Sequence, residues 1–128
     1  MTHRFELYEP LTSLNQTKGR HWTHRHRHKR HMTTALLAAG ARENILPGHR
    51  QLVTITRLKR PRQRDYDHDN LVAGNAKALI DALTDLGYWR DDNPYYLRRE
   101  YHQRAATPDE IARGIHAIIE IEPDESPF

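Results

Sequence analysis

Hydrophobic and polar positions repeat along this chain with two periods, and each period predicts one kind of secondary structure. A period of two, typical of strands, occurs around Phe5 and Leu7, and β-branched residues crowd the run 51–59 (QLVTITRLK). A helical period over 70–86 ends at Gly87, a residue type that commonly terminates helices. The predicted elements are strands over 4–8, 51–59, 95–101 and 115–121, helices over 23–39 and 70–86, and a turn or helix start at 107–110.

These elements define an α+β fold in the order βαβαββ, a mixed sheet packed against two helices. The 128 residues suffice for a single small domain, assigned as 1–128 with residues 122–128 as a frayed acidic tail. Cysteine is absent, which excludes disulfides and thiolate metal sites. The sequence contains neither a secretory signal nor an apolar run of about 18 residues, so we expect a soluble, cytoplasmic protein with no membrane partner.

Charge is distributed unevenly along the chain. Residues 1–64 contain 14 Lys or Arg and three Glu, a balance of +11, whereas residues 65–128 contain six Lys or Arg and 14 acidic residues, a balance of −8. The formal net charge of +3 conceals this asymmetry. The basic half predicts a polyanion partner. The carboxylates that begin abruptly at Asp65 predict a cation site beside it.

Alternating aspartates occupy the segment 64–70, which reads Arg-Asp-Tyr-Asp-His-Asp-Asn. In an extended backbone Asp65, Asp67 and Asp69 would project from one face, and like charges so close are unfavourable without a cation or a proton. Carboxylate oxygens without soft ligands suit Mg²⁺ or Mn²⁺. A second pair, Asp91-Asp92, follows the predicted helix. The alternative interpretation is a solvated turn whose aspartates cap that helix.

Three motifs follow one another in this region: 67–70 (DHDN), 77–83 (KALIDAL) and 87–92 (GYWRDD). Together they resemble the motifs of the RusA family of Holliday-junction resolvases. Asp67-His68-Asp69-Asn70 is similar to the family's Asp-x-Asp-Asn signature. The run 77–83 (KALIDAL) is similar to its Lys-x-x-x-Asp-Ala-Leu helix, and 87–92 (GYWRDD) to its Gly-aromatic-aromatic-x-Asp-Asp close. The spacing departs from the family pattern at one point: Lys77 follows Asp69 by eight positions instead of four.

The resemblance implies a Mg²⁺-dependent endodeoxyribonuclease, with Mn²⁺ as a substitute, that resolves four-way DNA junctions by paired nicks in recombination and repair. It places the metal-binding and catalytic carboxylates at Asp67, Asp69 and Asp92. Asp65 and Asp91 become accessory charges. Lys77 is implied as a catalytic residue that stabilises charge on the phosphate. The four extra residues would either shift it by about 6 Å along a helix or be absorbed by a loop, with the helix starting late at Gly74. A homodimer and a phage or prophage origin, with action at the nucleoid, are implied as well.

Two basic runs predict a DNA-binding surface. Residues 18–31 (KGRHWTHRHRHKRH) contain two Lys, four Arg and five His, and residues 57–64 (RLKRPRQR) lead directly into the aspartates. Such a charge density repels itself unless phosphates neutralise it. The predicted DNA contacts are Lys18, Arg20, Arg25, Arg27, Lys29, Arg30, Lys59, Arg60, Arg62 and Arg64. The rival interpretation, a zinc or nickel site, is opposed by the interleaved cations; its ligands would be His24, His26, His28 and His31.

Three functions are compatible with these features. The first is a metal-dependent, structure-selective endonuclease that acts on branched DNA as a homodimer. The second is a non-catalytic branched-DNA-binding protein of the same fold, in which the displaced Lys77 no longer supports cleavage. The third is a His-rich metal-binding protein. Mg²⁺-dependent nicking of a synthetic junction separates the first two, and a preference for zinc over Mg²⁺ favours the third.

Overall fold

One mixed four-stranded sheet joins segments from both ends of the chain. The computed structural model describes residues 2–11 and 22–125, with the backbone alone for residues 22–28, 70, 73 and 75. The elements in these ranges are β1 (His3–Leu7), α1 (Trp22–Ala38), β2 (Gln51–Lys59), α2 (His68–Ala73), α3 (Asn75–Leu86), β3 (Leu97–Ala105), α4 (Pro108–Arg113) and β4 (Ala117–Pro123). The order of the strands in the sheet is β1-β4-β2-β3, with β2 and β3 parallel and β4 antiparallel to both neighbours. The predicted α+β class is therefore confirmed.

Strand β2 begins and ends at the predicted residues, and the later boundaries differ for local reasons. The third strand begins at Leu97, two residues late, because the backbone from Asn93 forms a turn first. The fourth begins at Ala117 because α4 precedes it and ends at Gly114 in a left-handed conformation. The helix predicted over 70–86 is two helices, separated at Gly74. The order βαβαββ thus gains a helix before β4 and a break in its second helix.

Most of the core lies between one face of the sheet and helices α1 and α3. Val53 and Ile55 of β2 belong to the same core cluster as Leu79 and Leu83 of α3, and all four are fully buried. A smaller cluster on the opposite sheet face includes Leu58, which explains why burial in β2 changes from alternating to continuous after Ile55. None of the helices in the described residues combines the length and apolar character that crossing a membrane requires.

The segment expected as a frayed tail from residue 122 instead extends the sheet. Glu122 and Pro123 belong to β4. The Asp124 carboxylate is 3% exposed and pairs with Arg50 at 2.9 Å and with Arg98 at 3.5 Å. The tail prediction is therefore wrong for 122–124, because ion pairs with two other segments hold this end of the chain. Residues 126–128 lie outside the described residues.

Helix α4 begins with a capping box that the sequence Thr-Pro-Asp-Glu encodes. Thr107 Oγ1 accepts from the Glu110 N–H at 3.2 Å, and the Glu110 carboxylate accepts from the Thr107 N–H at 2.8 Å. Arg104 of β3 donates two further bonds to this carboxylate, at 2.8 and 2.9 Å. The Arg104 guanidinium and, next, the Thr107 N–H lower the pKa of Glu110 to about 2.

We expect Glu110→Gln to lower the free energy of unfolding by about 1–3 kcal/mol near neutral pH, because charge-assisted bonds are lost. A carboxylate whose pKa falls on folding stabilises the protein above its unfolded pKa of 4.5, and that contribution disappears as the pH falls toward about 2. Urea denaturation at pH 7 and pH 3 measures the effect, with Glu120→Gln on β4 as the exposed control. An equal difference at both pH values would contradict this account of Glu110.

Candidate nucleic-acid and metal site

A buried arginine anchors the loop that leads to Asp67. Arg57 is 5% exposed, and its Nη1 donates to the Arg64 carbonyl and to Gln103 Oε1, both at 2.9 Å. Its guanidinium also lies 3.6 Å from the centre of the Tyr66 ring. Gln103 bonds both the N–H and the C=O of Tyr66 at 2.9 Å. Strands β2 and β3 therefore fix the residues just before Asp67.

Sequence reasoning missed this anchoring role. A signal was present for Arg57, because it shares the strand phase of Val53 and Ile55, whose side chains point into the core. An arginine at such a position needs buried partners. Gln103 carries no comparable signal, since it lies in a polar strand whose burial does not alternate clearly.

Asp67 and Asp69 are exposed carboxylates at the start of α2. Asp67 is the N-cap of the helix, yet its side chain makes no capping hydrogen bond, and Asp69 lies in the first turn. Neither forms an ion pair within the described part of the chain. The expected common face of Asp65, Asp67 and Asp69 does not hold, because the extended backbone ends where α2 begins at His68. Asp65 pairs instead with Lys59.

The two aspartates after α3 have different surroundings. The Asp91 carboxylate accepts from the Asp92 N–H at 2.7 Å and from Asn93 Nδ2 at 3.2 Å, so it closes a local turn. The Asp92 carboxylate faces Arg99 Nη2 at 3.7 Å, and the same nitrogen donates to the Asp92 carbonyl. Asp91 therefore has a structural task, and Asp92 lies beside a cation.

One face of β3 connects these segments. Arg99, Tyr101 and Gln103 alternate along the strand and share the face that carries the buried Leu97. Gln103 bonds Tyr66, the Tyr101 ring meets the His68 ring edge-on at 5.8 Å between centres, and Arg99 contacts Asp92. Successive side chains on one strand face are about 7 Å apart. The segment carrying Asp67 and Asp69 and the turn carrying Asp92 thus contact neighbouring side chains of the same strand face.

Tyr101 lies in the middle of this face and its phenol stays protonated at neutral pH. Its hydroxyl oxygen is buried and lies beside the Arg99 guanidinium. Burial raises the pKa of the Tyr101 phenol, and the positive charge of Arg99 and its contact with the phenol oxygen offset part of that increase. The side chain therefore contributes a neutral hydrogen-bond donor to the site.

The carboxylates suit a divalent cation in type but are not assembled into a complete site. Within the described residues, no group of three or more His, Asp or Glu side chains is placed to hold a metal ion. Asp67 and Asp69 fit Mg²⁺ as hard, exposed ligands without a competing ion pair. Asp92 does not join them, because it is paired with Arg99. Of the four histidines proposed for the rival zinc or nickel site, His24, His26 and His28 have side chains outside the described part of the chain. The fourth, His31, pairs with Glu9 at 3.0 Å.

Lys77 lies on the solvent face of α3. Its side chain is 61% exposed and its Nζ is 3.9 Å from Asp81 of the same helix, while Ala76 and Ala78 on either side are buried. The helix break at Gly74 restarts the helical phase after the extra residues. Within the described residues Lys77 therefore forms an ion pair with Asp81 and none with Asp67 or Asp69, the residues beside which the resemblance places it.

We expect Lys77→Ala to lower a single-turnover cleavage rate by less than about twofold, because an exposed pair with Asp81 contributes little. Rapid-quench measurements on a synthetic four-way junction, with Arg113→Ala on α4 as the control, test this expectation. A loss on the order of a hundredfold would mean that Lys77 reaches the phosphate after all.

The predicted DNA contacts are only partly within the described residues. Lys18 and Arg20 lie outside them, as do the side chains of Arg25 and Arg27 on α1. Lys29 already pairs with Asp85 of α3, Lys59 pairs with Asp65, and Arg60 is half-buried. Three predicted contacts are exposed: Arg30, Arg62 and Arg64.

The Gly-aromatic-aromatic motif has a structural explanation. Gly87 ends α3 at φ +90°, and a Cβ atom there would lie 2.5 Å from the Asn44 carbonyl oxygen. The Tyr88 hydroxyl accepts from the Arg42 N–H at 3.2 Å. Trp89 is fully buried, and its Nε1 donates to Thr84 Oγ1 at 2.6 Å. These residues hold the end of α3 against the loop after α1, and so fix where Asp91 and Asp92 begin.

Comparison with known proteins adds no family to this picture. No protein-family model matches the chain, and none of the curated proteins is significantly similar to it. The likeness to the RusA family therefore rests on the motif residues between 67 and 92 and on their order.

Proposed function

We propose that this chain is a Mg²⁺-dependent, structure-selective endodeoxyribonuclease that resolves four-way DNA junctions by paired nicks. The observation that carries the proposal is the β3 face, where three alternating side chains contact the segments that carry Asp67, Asp69 and Asp92. The segment with the exposed carboxylates Asp67 and Asp69 thus contacts the same face of β3 as Asp92, and that face also carries the cation Arg99. Phosphodiester hydrolysis uses these charge types, with carboxylates to hold a metal ion and a cation to bind the phosphate.

Asp67 and Asp69 would hold the metal ion together with oxygens of the DNA, since Mg²⁺ commonly binds one or two carboxylates plus substrate phosphates. When bound, the ion supplies a more acidic water and a polarised phosphate. Arg57 keeps the Asp67 segment against β3 through its contacts with Tyr66 and Gln103. No covalent intermediate on a Ser or Tyr side chain is required.

The exposed arginines of the loop before Asp67 supply the phosphate contacts in this proposal. We expect the double variant Arg62→Gln, Arg64→Gln to weaken junction binding and to reduce the slope of log affinity against log salt by up to about 1.8, which is about 0.9 for each lost contact. Fluorescence anisotropy from low to moderate salt measures both quantities. The matched control is Arg113→Gln, an exposed arginine on α4. An unchanged slope would remove this loop from the DNA interface.

A homodimer completes the proposal. Two symmetry-related copies of the site are the simple way to nick two strands of a four-way junction symmetrically. We expect Mn²⁺ to substitute for Mg²⁺. We expect the protein to act on DNA in the cytoplasm, at the nucleoid of a bacterial or prophage-carrying cell. Sedimentation of the free protein and of its junction complex reports the number of copies.

The second candidate function is non-catalytic binding of branched DNA. It is favoured by the Asp92–Arg99 pair and by the solvent-facing Lys77, because both leave the implied catalytic set incomplete. Under this alternative the basic surface would still bind junctions, and no strand would be cut in any divalent cation.

Cleavage of a labelled four-way junction beside a linear duplex of the same sequence tests the proposal. In Mg²⁺ we expect paired nicks near the branch point, little cutting of the duplex, and no reaction with EDTA. Tight junction binding without nicks in Mg²⁺ or Mn²⁺ would instead establish the non-catalytic function. Equal cutting of both substrates would contradict structure selectivity.

A further inference from the structure

The Asp92–Arg99 contact gives the guanidinium a defined direction and leaves part of it accessible. Arg99 Nη2 donates to the main-chain carbonyl of Asp92, while the Asp92 carboxylate lies 3.7 Å away, beyond a good hydrogen bond. The Arg99 and Asp92 side chains are 31% and 38% exposed. A guanidinium has five N–H donors, so several remain for another anion.

Arg99 opens into a cleft that has room for an anionic group. The cleft measures about 370 Å³, lies at the start of β3 and is lined by Arg50, Asp92, Pro94, Leu97, Arg98 and Arg99. Two of these arginines are already paired with acidic side chains, since Arg50 and Arg98 contact Asp124 and Arg98 also contacts Glu100. Arg99 has a longer carboxylate contact, with Asp92 at 3.7 Å, and it shares the β3 face with Tyr101.

The site needs a cation, and Arg99 is the one that the structure holds on the β3 face. Lys77 pairs with Asp81 on α3, whereas Arg99 extends from a strand and lies two residues from Tyr101, whose ring touches His68. Planar, bidentate recognition of phosphate is also a property of arginine that lysine lacks.

We infer that Arg99 binds the phosphodiester at this site and that Asp92 orients Arg99 instead of binding the metal ion. This inference rests on the proposed nuclease function and assigns two of its parts. Asp67 and Asp69 alone then supply the protein ligands of the cation. Asp92 becomes a positioning residue: its main-chain carbonyl accepts from the guanidinium, and its carboxylate adds a charge contact at 3.7 Å. Arg99 takes the role that the resemblance implies for Lys77.

Metal affinity separates the two roles of the carboxylates without any need for activity. In titrations of free Mn²⁺ followed by electron paramagnetic resonance, Asp69→Asn should weaken binding at least about tenfold, because a ligand is lost. Asp92→Asn should leave the affinity within about twofold of the parent, because no ligand is lost. A loss with Asp92→Asn as large as that with Asp69→Asn would overturn the inference.

A double-mutant cycle tests whether Asp92 acts through Arg99. Arg99→Ala should reduce the single-turnover rate by about a hundredfold, Arg99→Lys should recover part of it, and Asp92→Asn should cause a smaller loss. The double variant should be no slower than Arg99→Ala, because the second change removes a charge contact with a group that is already absent. If the losses in rate of the two single variants multiply in the double variant, Arg99 and Asp92 act independently and the inference is overturned. Arg113→Ala, which breaks a comparable pair with Glu6, is the control and should keep the parent rate.

The affinity for four-way junctions tests the Arg99 assignment separately from the nuclease function. If the parent protein binds junctions but never cuts them, the proposed function fails, and the Arg99 assignment is then decided by binding alone. Arg99→Ala should still lower the affinity and the salt dependence by one phosphate contact, about 0.9 in the log–log slope. Unchanged affinity and slope would overturn the phosphate role of Arg99 whether or not the parent protein cleaves.

Discussion

We expect Asp69→Asn to reduce the single-turnover cleavage rate by at least about a hundredfold while junction affinity is retained or increases. The carboxylate is exposed, lies in the first turn of α2 and has no described ion pair, so its removal leaves the packing unchanged. Removing the negative charge weakens the hold on a cation and also reduces repulsion of phosphate. Rapid-quench kinetics with saturating protein and Mg²⁺ measures the rate, and anisotropy measures the affinity.

Matched aspartate variants make this result interpretable. Asp67→Asn should behave as Asp69→Asn does, and Asp91→Asn should be milder because that carboxylate closes a local turn. Asp109→Asn, an exposed aspartate on α4, should cut at the parent rate. If Asp69→Asn also cuts at the parent rate in Mg²⁺, the metal assignment at the start of α2 is wrong.

Trp89→Ala should lower the free energy of unfolding by about 3–5 kcal/mol, the usual cost of truncating a buried tryptophan. Trp89 is fully buried in the main core, and its Nε1 bonds Thr84 Oγ1 at the end of α3. The cavity would loosen the packing where α3 leads into the turn that contains Asp91 and Asp92. Urea denaturation followed by circular dichroism gives the change in stability.

Trp89→Phe is the control that divides this effect into two parts. It keeps most of the apolar volume and loses the bond to Thr84, so a cost of about 1–2 kcal/mol is expected. An equal loss for the Ala and Phe variants would assign the effect to the hydrogen bond. A negligible loss for Trp89→Ala would contradict the structural explanation of the Gly-Tyr-Trp motif.

Much of the fold could be predicted from periodicity because the buried positions repeat. β2 has the strongest β-branched content and matches its prediction at both ends. A late helix start at Gly74 was one of two explanations for the extra residues before Lys77, and α3 does begin directly after Gly74. The short helix α2 before it was not predicted separately, since Leu71 and Leu79 are both buried and give one continuous apolar pattern across the break. α4 depended on its capping box, which the Thr-Pro-Asp-Glu sequence indicated as a turn or helix start.

The sequence indicated the carboxylates of the candidate site, but it did not indicate the residues that contact the segments carrying them. Local sequence marks Asp67 and Asp69 because clustered like charges stand out along the chain. The roles of Arg57, Arg99 and Gln103 depend on the parallel pairing of β2 with β3, which no local pattern specifies. Lys77 follows Asp69 by eight positions instead of four, which indicated that its place relative to the aspartates differs from the family pattern. Its exposed position on α3, paired with Asp81, is compatible with that difference.

The place where a divalent cation binds is the point on which this account depends. Addition of substoichiometric Mn²⁺ to isotopically labelled protein, followed by amide NMR spectra, locates the ion through paramagnetic broadening. The account predicts that broadening centres on Asp67, His68 and Asp69, extends to Tyr101 across the β3 face, and disappears in Asp69→Asn. Broadening centred instead on the histidines between 21 and 31, or on Glu120 and Glu122, would contradict it.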